Sequence, residues 1–290
     1  MATTVRLKMI KTRDQISARL FQWGTIGVMV GIAALFLFPM YWAVAASLKS
    51  LDAIFAFPPN LGISVPQWEN YPHALSRLPF FRFIGNTFVI SFAATLGQVL
   101  SAALVGFAFA RLRWWGREFW FLVLLATMML PGQILLIPHY LLYQSLGWVN
   151  TYKPLIVPSW LGGGAFFIFL FRQFFKGVPR EMEEAALIDG ASNWQVFARI
   201  MMPNAKAIIT TVVVMSFIAH WKDFMGPLIY LSDFTRYPIS LGLRMYQAVE
   251  GSWVNYLMAA SVVALSPLVV IFFLAQRYFV RGLLLSGSKG

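Results

Sequence analysis

The sequence predicts an all-α polytopic membrane protein with six transmembrane helices and one charged helical hairpin, and three observations predict it. Of 290 residues, 59% are hydrophobic and 12% charged, about half the charge of an ordinary soluble domain, and the mean hydropathy is +0.68. Six apolar runs recur along the chain, separated by short connectors, each of about the length that crosses a bilayer as a helix. The charges flank these runs instead of lining one face, and a single island, residues 178–203, carries acidic and basic side chains together at helical spacing.

Residues 1–19 hold Arg6, Lys8, Lys11, Arg13 and Arg19 and are read as a basic cytoplasmic N-terminus. The apolar run 20–46 follows. Ala43-Val44-Ala45 has the small-residue look of a signal-peptidase site, but the run is too long for a signal-peptide core, so an uncleaved anchor is expected. Gly27 and Gly31 within it form a pair that allows close helix packing. Residues 47–83 contain Pro58-Pro59, Pro66, Pro72 and Pro79 and cannot be one helix; they read as an external loop with a short interfacial helix over 68–75. Span two covers 84–110 and ends at Arg111, Arg113 and Arg117. Span three covers 119–143, with kinks expected at Pro131 and Pro138. Span four covers 154–171, and Gly162-Gly163-Gly164 in its middle predicts a flexible or very closely packed helical segment. Span five covers 207–231, residues 232–255 are external, and span six covers 256–275.

The island at 178–203 encodes two short helices and a turn. Pro179 suits the first helical position, and Glu181, Glu183 and Glu184 place negative charge at the positive end of the helix dipole. Ala185, Ala186, Leu187 and Ile188 carry the helix to Asp189 and Gly190, where glycine tolerates the left-handed conformation that ends it. Ser192 caps the second helix. Trp194, Phe197, Ala198 and Met201 then recur at helical spacing before Pro203.

The net charge of +12 invites a nucleic-acid reading, but its placement favours membrane topology. Basic residues 6, 8, 11, 13 and 19, then 111, 113 and 117, then 172, 176, 180, 199 and 206, then 277, 281 and 289 all fall on the proposed inner side. Lys49, Arg77, Arg82, Lys153, Lys222, Arg236 and Arg244 fall on the other. That bias puts both termini in the cytoplasm.

Enzymatic chemistry is not encoded. No Gly-Lys pair occurs, so there is no phosphate-cradling loop. His73, His139 and His220 lack metal-ligand spacing, there is no Gly-x-Ser-x-Gly elbow, and the chain has no cysteine. Polar residues inside spans are the candidates for a passage: Gln133, Tyr140 and Gln144 on one face of span three, and Ser216, His220 and Asp223 on one face of span five beside Trp221 and Lys222. Such groups either hydrogen-bond neighbouring helices or line a polar, aromatic cavity. Asp223 is the one carboxylate within the assigned spans.

Glu184-Ala185-Ala186, three residues, Gly190, nine residues, Ile200, one residue and Met202-Pro203 resemble the EAA loop of permease subunits of bacterial ATP-binding-cassette importers. Met202 replaces the leucine usual in that pattern. Asn86-Thr87 opening a helix, 171–175, 227–229, the tail 276–282 and Lys289-Gly290 resemble the carbohydrate-importer, maltose-type branch, although Lys222-Asp223 departs from its usual Asn and acidic residue. The resemblance implies one permease domain over 1–290 with its core at 84–275, located in the bacterial inner membrane. It implies a second homologous permease subunit, two cytoplasmic ATPase subunits that hold ATP and Mg, an extracytoplasmic solute-binding protein, and no cofactor or nucleic acid for this chain. Glu183, Glu184, Ala185, Ala186, Asp189, Gly190, Ile200 and Pro203 would then couple to the ATPase. The expected solute is a sugar or oligosaccharide; glycerol phosphate or a polyol, and an ion-coupled secondary transporter, are the alternatives, with a non-transporting scaffold a third.

Overall fold

The computed structural model describes residues 2–249 and 253–287, and no strand occurs among them. Lys289 and Gly290, and the 250–252 part of the expected external segment, lie outside these residues. Four helices are long and apolar enough to cross a membrane: Phe21–Ser47, Phe80–Arg111, Lys153–Gly177 and Val254–Gln276. Among the described residues two bent pairs raise the number to as many as six if each pair is one span. Arg117–Thr127 meets Gly132–Ser145 at 90°, and Asn193–Asn204 meets Lys206–Trp221 at 79°.

The chain divides into two compact units. The first comprises Met1–Ala74 and Trp253–Val262. Its long helix Ala2–Ser47 is exposed over most of its apolar length, and nothing lies within 4 Å of where a side chain at Gly27 or Gly31 would point. The end of that helix is fixed by polar contacts. The buried Asn70 amide donates to the Ser47 and Lys49 carbonyls at 2.9 Å each, and its oxygen accepts from Asn255 at 3.1 Å. Lys49, 4% exposed, donates to the Asn60 carbonyl and lies 4.9 Å from the Trp42 ring centroid. The short helix expected near 68–75 runs Asn70–Arg77.

The second unit, Leu75–Ser252 with Val263–Gly290, is built on span two. That helix, Phe80–Arg111, packs along its length against both halves of span four and against span five. Glycines permit the approach. A side-chain carbon at Gly97 would sit 2.3 Å from the Trp160 ring, and one at Gly106 2.6 Å from Phe171 Cβ. The core beneath the hairpin gathers Ala102, Ala103, Phe107, Phe171, Phe175, Val196, Phe197, Met201 and Val212.

Several boundaries differ from expectation, each for a local reason. Span two starts at Phe80, so Asn86 and Thr87 lie inside the helix and do not open it. Their side chains hold a distant loop instead: Asn86 donates to the Thr235 and Tyr237 carbonyls at 3.0 Å each, and the Thr87 hydroxyl accepts from the Ile239 N–H at 2.7 Å. Gly162-Gly163-Gly164 is not helical. All three have positive φ, 105°, 69° and 80°, and they break span four into Lys153–Trp160 and Ala165–Gly177. Span five stops at Trp221 and resumes as Met225–Tyr230 after a break at which the Asp223 carboxylate accepts from the Gly226 N–H at 3.2 Å. The segment after it contains an additional helix, Ile239–Val249, seated through buried Ile239, Leu241 and Tyr246. Span three breaks at Pro131, as expected there, whereas Pro138 sits in the first turn of the helix Leu136–Ser145, where its missing N–H costs nothing.

Candidate functional site

The hairpin folds as its local code requires. Its first helix is Arg180–Ile188, with Pro179 one position earlier than expected, at the cap, a one-residue difference of the kind helix ends commonly show. Gly190 takes φ 83° and stops it. Ser192 and Gln195 form a capping box: the Ser192 hydroxyl accepts from the Gln195 N–H at 3.3 Å, and the Gln195 side chain accepts from the Ser192 N–H at 2.7 Å. The second helix then includes a π-helical segment, Val196–Met201. Pro203 follows it and has no N–H for the Arg199 carbonyl, which removes one bond of the regular ladder.

The hairpin has an anchored side and a free side. Val196, Phe197 and Met201 are buried in the core, and Ala186, Ala191 and Met202 pack against it. Met182, Leu187, Ile188 and Trp194 are exposed apolar side chains, Ile188 at 86%. Glu184, Ala185, Asp189, Gly190 and Pro203 are exposed with them, and Ile200 is half-buried. Of the four residues that recur at helical spacing in the second helix, Phe197 and Met201 point inward while Trp194 and Ala198 stay in solvent.

Two buried arginines fix this arrangement. Arg111, at the end of span two, donates to the Phe175 carbonyl at 2.5 Å and to the Val178 carbonyl, and pairs with Glu183 at 3.3 Å. Arg172, in span four, donates to the Phe109 carbonyl at 3.3 Å and to Glu118 at 2.6 Å, with its guanidinium 3.7 Å from the Phe121 ring centroid. Arg117 also binds Glu118, at 3.0 Å. Sequence reading treated Arg111, Arg117 and Arg172 as topological charge, and Arg172 also as part of a family pattern. The available signal was a basic residue closing span two just ahead of the acidic first turn of span three.

The passage candidates separate into two groups. Ser216, fully buried, donates to the Gln98 side-chain oxygen at 2.5 Å, and His220 Nε2 lies 3.1 Å from that same oxygen. The Gln98 amide nitrogen donates to the Gly163 carbonyl at 3.0 Å. Gln98, which the sequence did not single out, therefore ties span two to span five and to the break in span four. Trp221 is buried and donates to the Ala264 carbonyl at 3.1 Å. Gln133 sits in a 3-10 turn ahead of the helix Leu136–Ser145, which carries Tyr140 and Gln144. Gln133 and Gln144 are exposed, and Tyr140 borders the cluster of Ile90, Tyr143, Leu155, Tyr230 and Leu231. Near that cluster the Asn150 side chain accepts from the Ser232 and Asp233 N–H groups at 3.1 and 2.9 Å. Hydrogen bonds from the Thr235 hydroxyl and N–H hold the Asp233 carboxyl below its ordinary pKa.

Comparison with known proteins gives a consistent pattern. Residues 98–284 match the family described as "Binding-protein-dependent transport system inner membrane component". The chain is 33% identical over 211 residues to the arabinooligosaccharides transport system permease protein AraQ of Halalkalibacterium halodurans, covering 73% of this chain and 75% of that one. It is 34% identical over 265 residues to the sn-glycerol-3-phosphate transport system permease protein UgpE of Escherichia coli O157:H7, covering 88% and 93%. Among solved structures, a bacterial ABC transporter involved in import of the acidic polysaccharide alginate superposes with a TM-score of 0.79 at 20% identity, over 91% of this chain and 98% of that one. The complex of the alginate transporter with its pentasaccharide-bound periplasmic protein gives 0.64 at 16% identity, over 87% and 92%. These two likenesses establish the shared fold.

Replacing Arg111 with Leu removes three bonds, whereas Glu183→Gln weakens one. Loss of a buried charged partner costs about 3–5 kcal/mol and a single charged hydrogen bond about 1.5–3 kcal/mol. Thermal unfolding in detergent is expected to rank Arg111→Leu well below Glu183→Gln, and both below the parent protein. The reverse order would remove Arg111 as the anchor.

Proposed function

The chain belongs to the family of binding-protein-dependent transport system inner membrane components, and from that membership we propose that it forms the passage of an ATP-driven importer with a second, homologous permease subunit. Two cytoplasmic ATPase subunits supply the energy, and an extracytoplasmic binding protein delivers the solute. The observation that carries this reading is the two-sided hairpin. Its inner side is locked to the bundle by Arg111, Phe197 and Met201, while Met182, Leu187, Ile188 and Trp194 are presented to solvent beside Glu184. An amphipathic helix offering apolar anchors is suited to a groove on a partner. Closure of the ATPase pair on ATP would move two such hairpins together and open the passage outward.

Glu184→Lys reverses a charge on the free side, and Gly190→Pro cannot adopt the left-handed turn at φ 83°. In proteoliposomes holding the whole importer, both substitutions are expected to abolish solute-stimulated ATP hydrolysis and uptake while the protein remains in the membrane. Parental coupling in both variants would take the hairpin out of the mechanism.

With both termini cytoplasmic, the hairpin faces the cytoplasm as well. The chain contains no cysteine, so Asp189→Cys supplies a single reporter. A membrane-impermeant maleimide is expected to label it in inverted vesicles and not in right-side-out ones; the opposite labelling would overturn the orientation.

For the solute, the relatives support a sugar or oligosaccharide on one side and glycerol phosphate on the other. Ligand-induced stabilisation of the binding protein that partners this chain separates the two. Gln133, Tyr140 and Gln144, with Ser216, His220 and Trp221, combine amide, hydroxyl and aromatic groups suited to sugar hydroxyls and C–H faces. Ala substitution at 133, 140 and 144 is expected to change uptake or solute preference at parental ATPase activity. At 216, 220 and 221, whose polar atoms are engaged within the bundle, it is expected also to lower the yield of folded complex. If all six substitutions reduce only that yield, solute contact lies in the partner permease.

A further inference from the structure

Beside the hairpin, a cleft of about 740 Å³ opens between the loop joining spans two and three and the first hairpin helix. Arg111, Arg113, Arg117 and Arg180 line it, with Glu118, Glu183 and Glu184. Arg111 is paired with Glu183, and Glu118 is shared between Arg117 and Arg172. Among the described residues Arg113 and Arg180 form no ion pair. Glu184 is the carboxylate of the cleft that no arginine claims. Four arginines against three glutamates leave the cleft positive, and Arg172, which shares Glu118, adds to that balance.

Trp114 forms part of this cleft and also of a second, almost wholly apolar groove of about 490 Å³. Phe109, Trp120, Val123, Leu124 and Thr127 complete that groove, which follows span three for about 10 Å at 1.5 Å per residue. Trp115, 94% exposed, and the exposed Trp120 neighbour Trp114 in the chain, and tryptophan concentrates where membrane meets water. A basic, water-facing cleft thus adjoins an apolar groove along a membrane-spanning helix, with tryptophans at the junction. A free phosphate has no use for the groove, and a zwitterionic headgroup gains little from two unpaired arginines.

We propose that the cleft and groove together bind an anionic diacyl phospholipid, with its phosphate at Arg113 and Arg180 and one acyl chain in the groove below Trp114. The proposal rests on the membrane-spanning reading of Phe80–Arg111 and Arg117–Thr127 and is independent of the solute. Bound there, the lipid sits against the helix that carries Glu183 and Glu184, between hairpin and bilayer.

Lipid retention is measured directly, apart from transport. The intact importer is placed in nanodiscs of phosphatidylcholine containing a minor fraction of phosphatidylglycerol, and retained lipids are counted by native mass spectrometry. The parent is expected to keep phosphatidylglycerol in preference to phosphatidylcholine. Arg113→Gln with Arg180→Gln is expected to lower its apparent affinity about thirtyfold, roughly fivefold for each basic group at an anionic surface, whereas Lys at both positions preserves it. Val123→Trp fills the groove and is expected to lose the lipid with both arginines in place, a result that does not depend on how well the glutamine pair assembles. Equal retention of the two lipids by the parent, undiminished phosphatidylglycerol in the glutamine pair or in Val123→Trp, or displacement by inorganic phosphate would each overturn the proposal.

Discussion

The mechanics of the second unit depend on a buried guanidinium at the end of span two. Arginine stays charged at any physiological pH, so once buried it must be surrounded by acceptors. Arg111 takes the Phe175 and Val178 carbonyls at the C-terminal end of span four, where helix ends leave acceptors to be satisfied, sharing the Phe175 carbonyl with the Val178 N–H, and adds Glu183 from the hairpin. Arg172 answers in the other direction, from span four to the Phe109 carbonyl of span two and to Glu118 of span three. The two arginines interlock the spans at the level where the hairpin leaves the bundle. Ion pairs of this kind add little net stability compared with apolar packing, but they penalise every alternative arrangement. Their contribution here is to fix one hairpin position.

Higher on the same helix, Gln98 does for the middle of the bundle what Arg111 does for its end. The glycine break in span four frees backbone carbonyls that need donors, and a side-chain carbon at Gly163 would stand 2.6 Å from the Gln98 carbonyl and the Ala102 nitrogen. Only glycine permits that approach. The Gln98 amide then satisfies the Gly163 carbonyl while its oxygen meets Ser216 and His220. Span two therefore holds both helices that flank the hairpin, span four at two levels through Gly163 and Phe175 and span five at the Gln98 level through Ser216 and His220.

What the sequence made legible was local. The hairpin's caps, its glycine stop and the proline bend in span three follow from neighbours a few residues apart, and the structure shows each of them. Six apolar runs and the family pattern were equally readable. Partners far apart in the chain were not: Gln98 and Ser216 are 118 positions apart, and neither residue alone announces the other. The triple glycine showed that something unusual happens in span four, but whether it bends or packs depends on what Gln98 and Ala102 bring to it. Asn86 and Thr87 belonged to a family pattern whose physical cause, holding the Thr235 and Tyr237 carbonyls and the Ile239 N–H, appears only in three dimensions. The helix Ile239–Val249 escaped because its buried face is short and its packing partner, Phe83, comes from span two.

Under the proposed coupling to an ATPase, these contacts explain how so small an element would transmit force. A nine-residue helix such as Arg180–Ile188 is marginal by itself, since isolated helices below about 12–15 residues barely form in water. Its position must come from tertiary anchors, and those anchors lie on one side only. Close-packed interiors shift between discrete arrangements and do not stretch, so a push on Ile188 and Trp194 cannot be absorbed within the hairpin. It passes through Phe197 and Met201 to the core, and through Glu183 and Arg111 to span two. A flexible hairpin with the same exposed residues would bind a partner equally well and move nothing; in the proposed mechanism the buried side is what would turn docking into displacement.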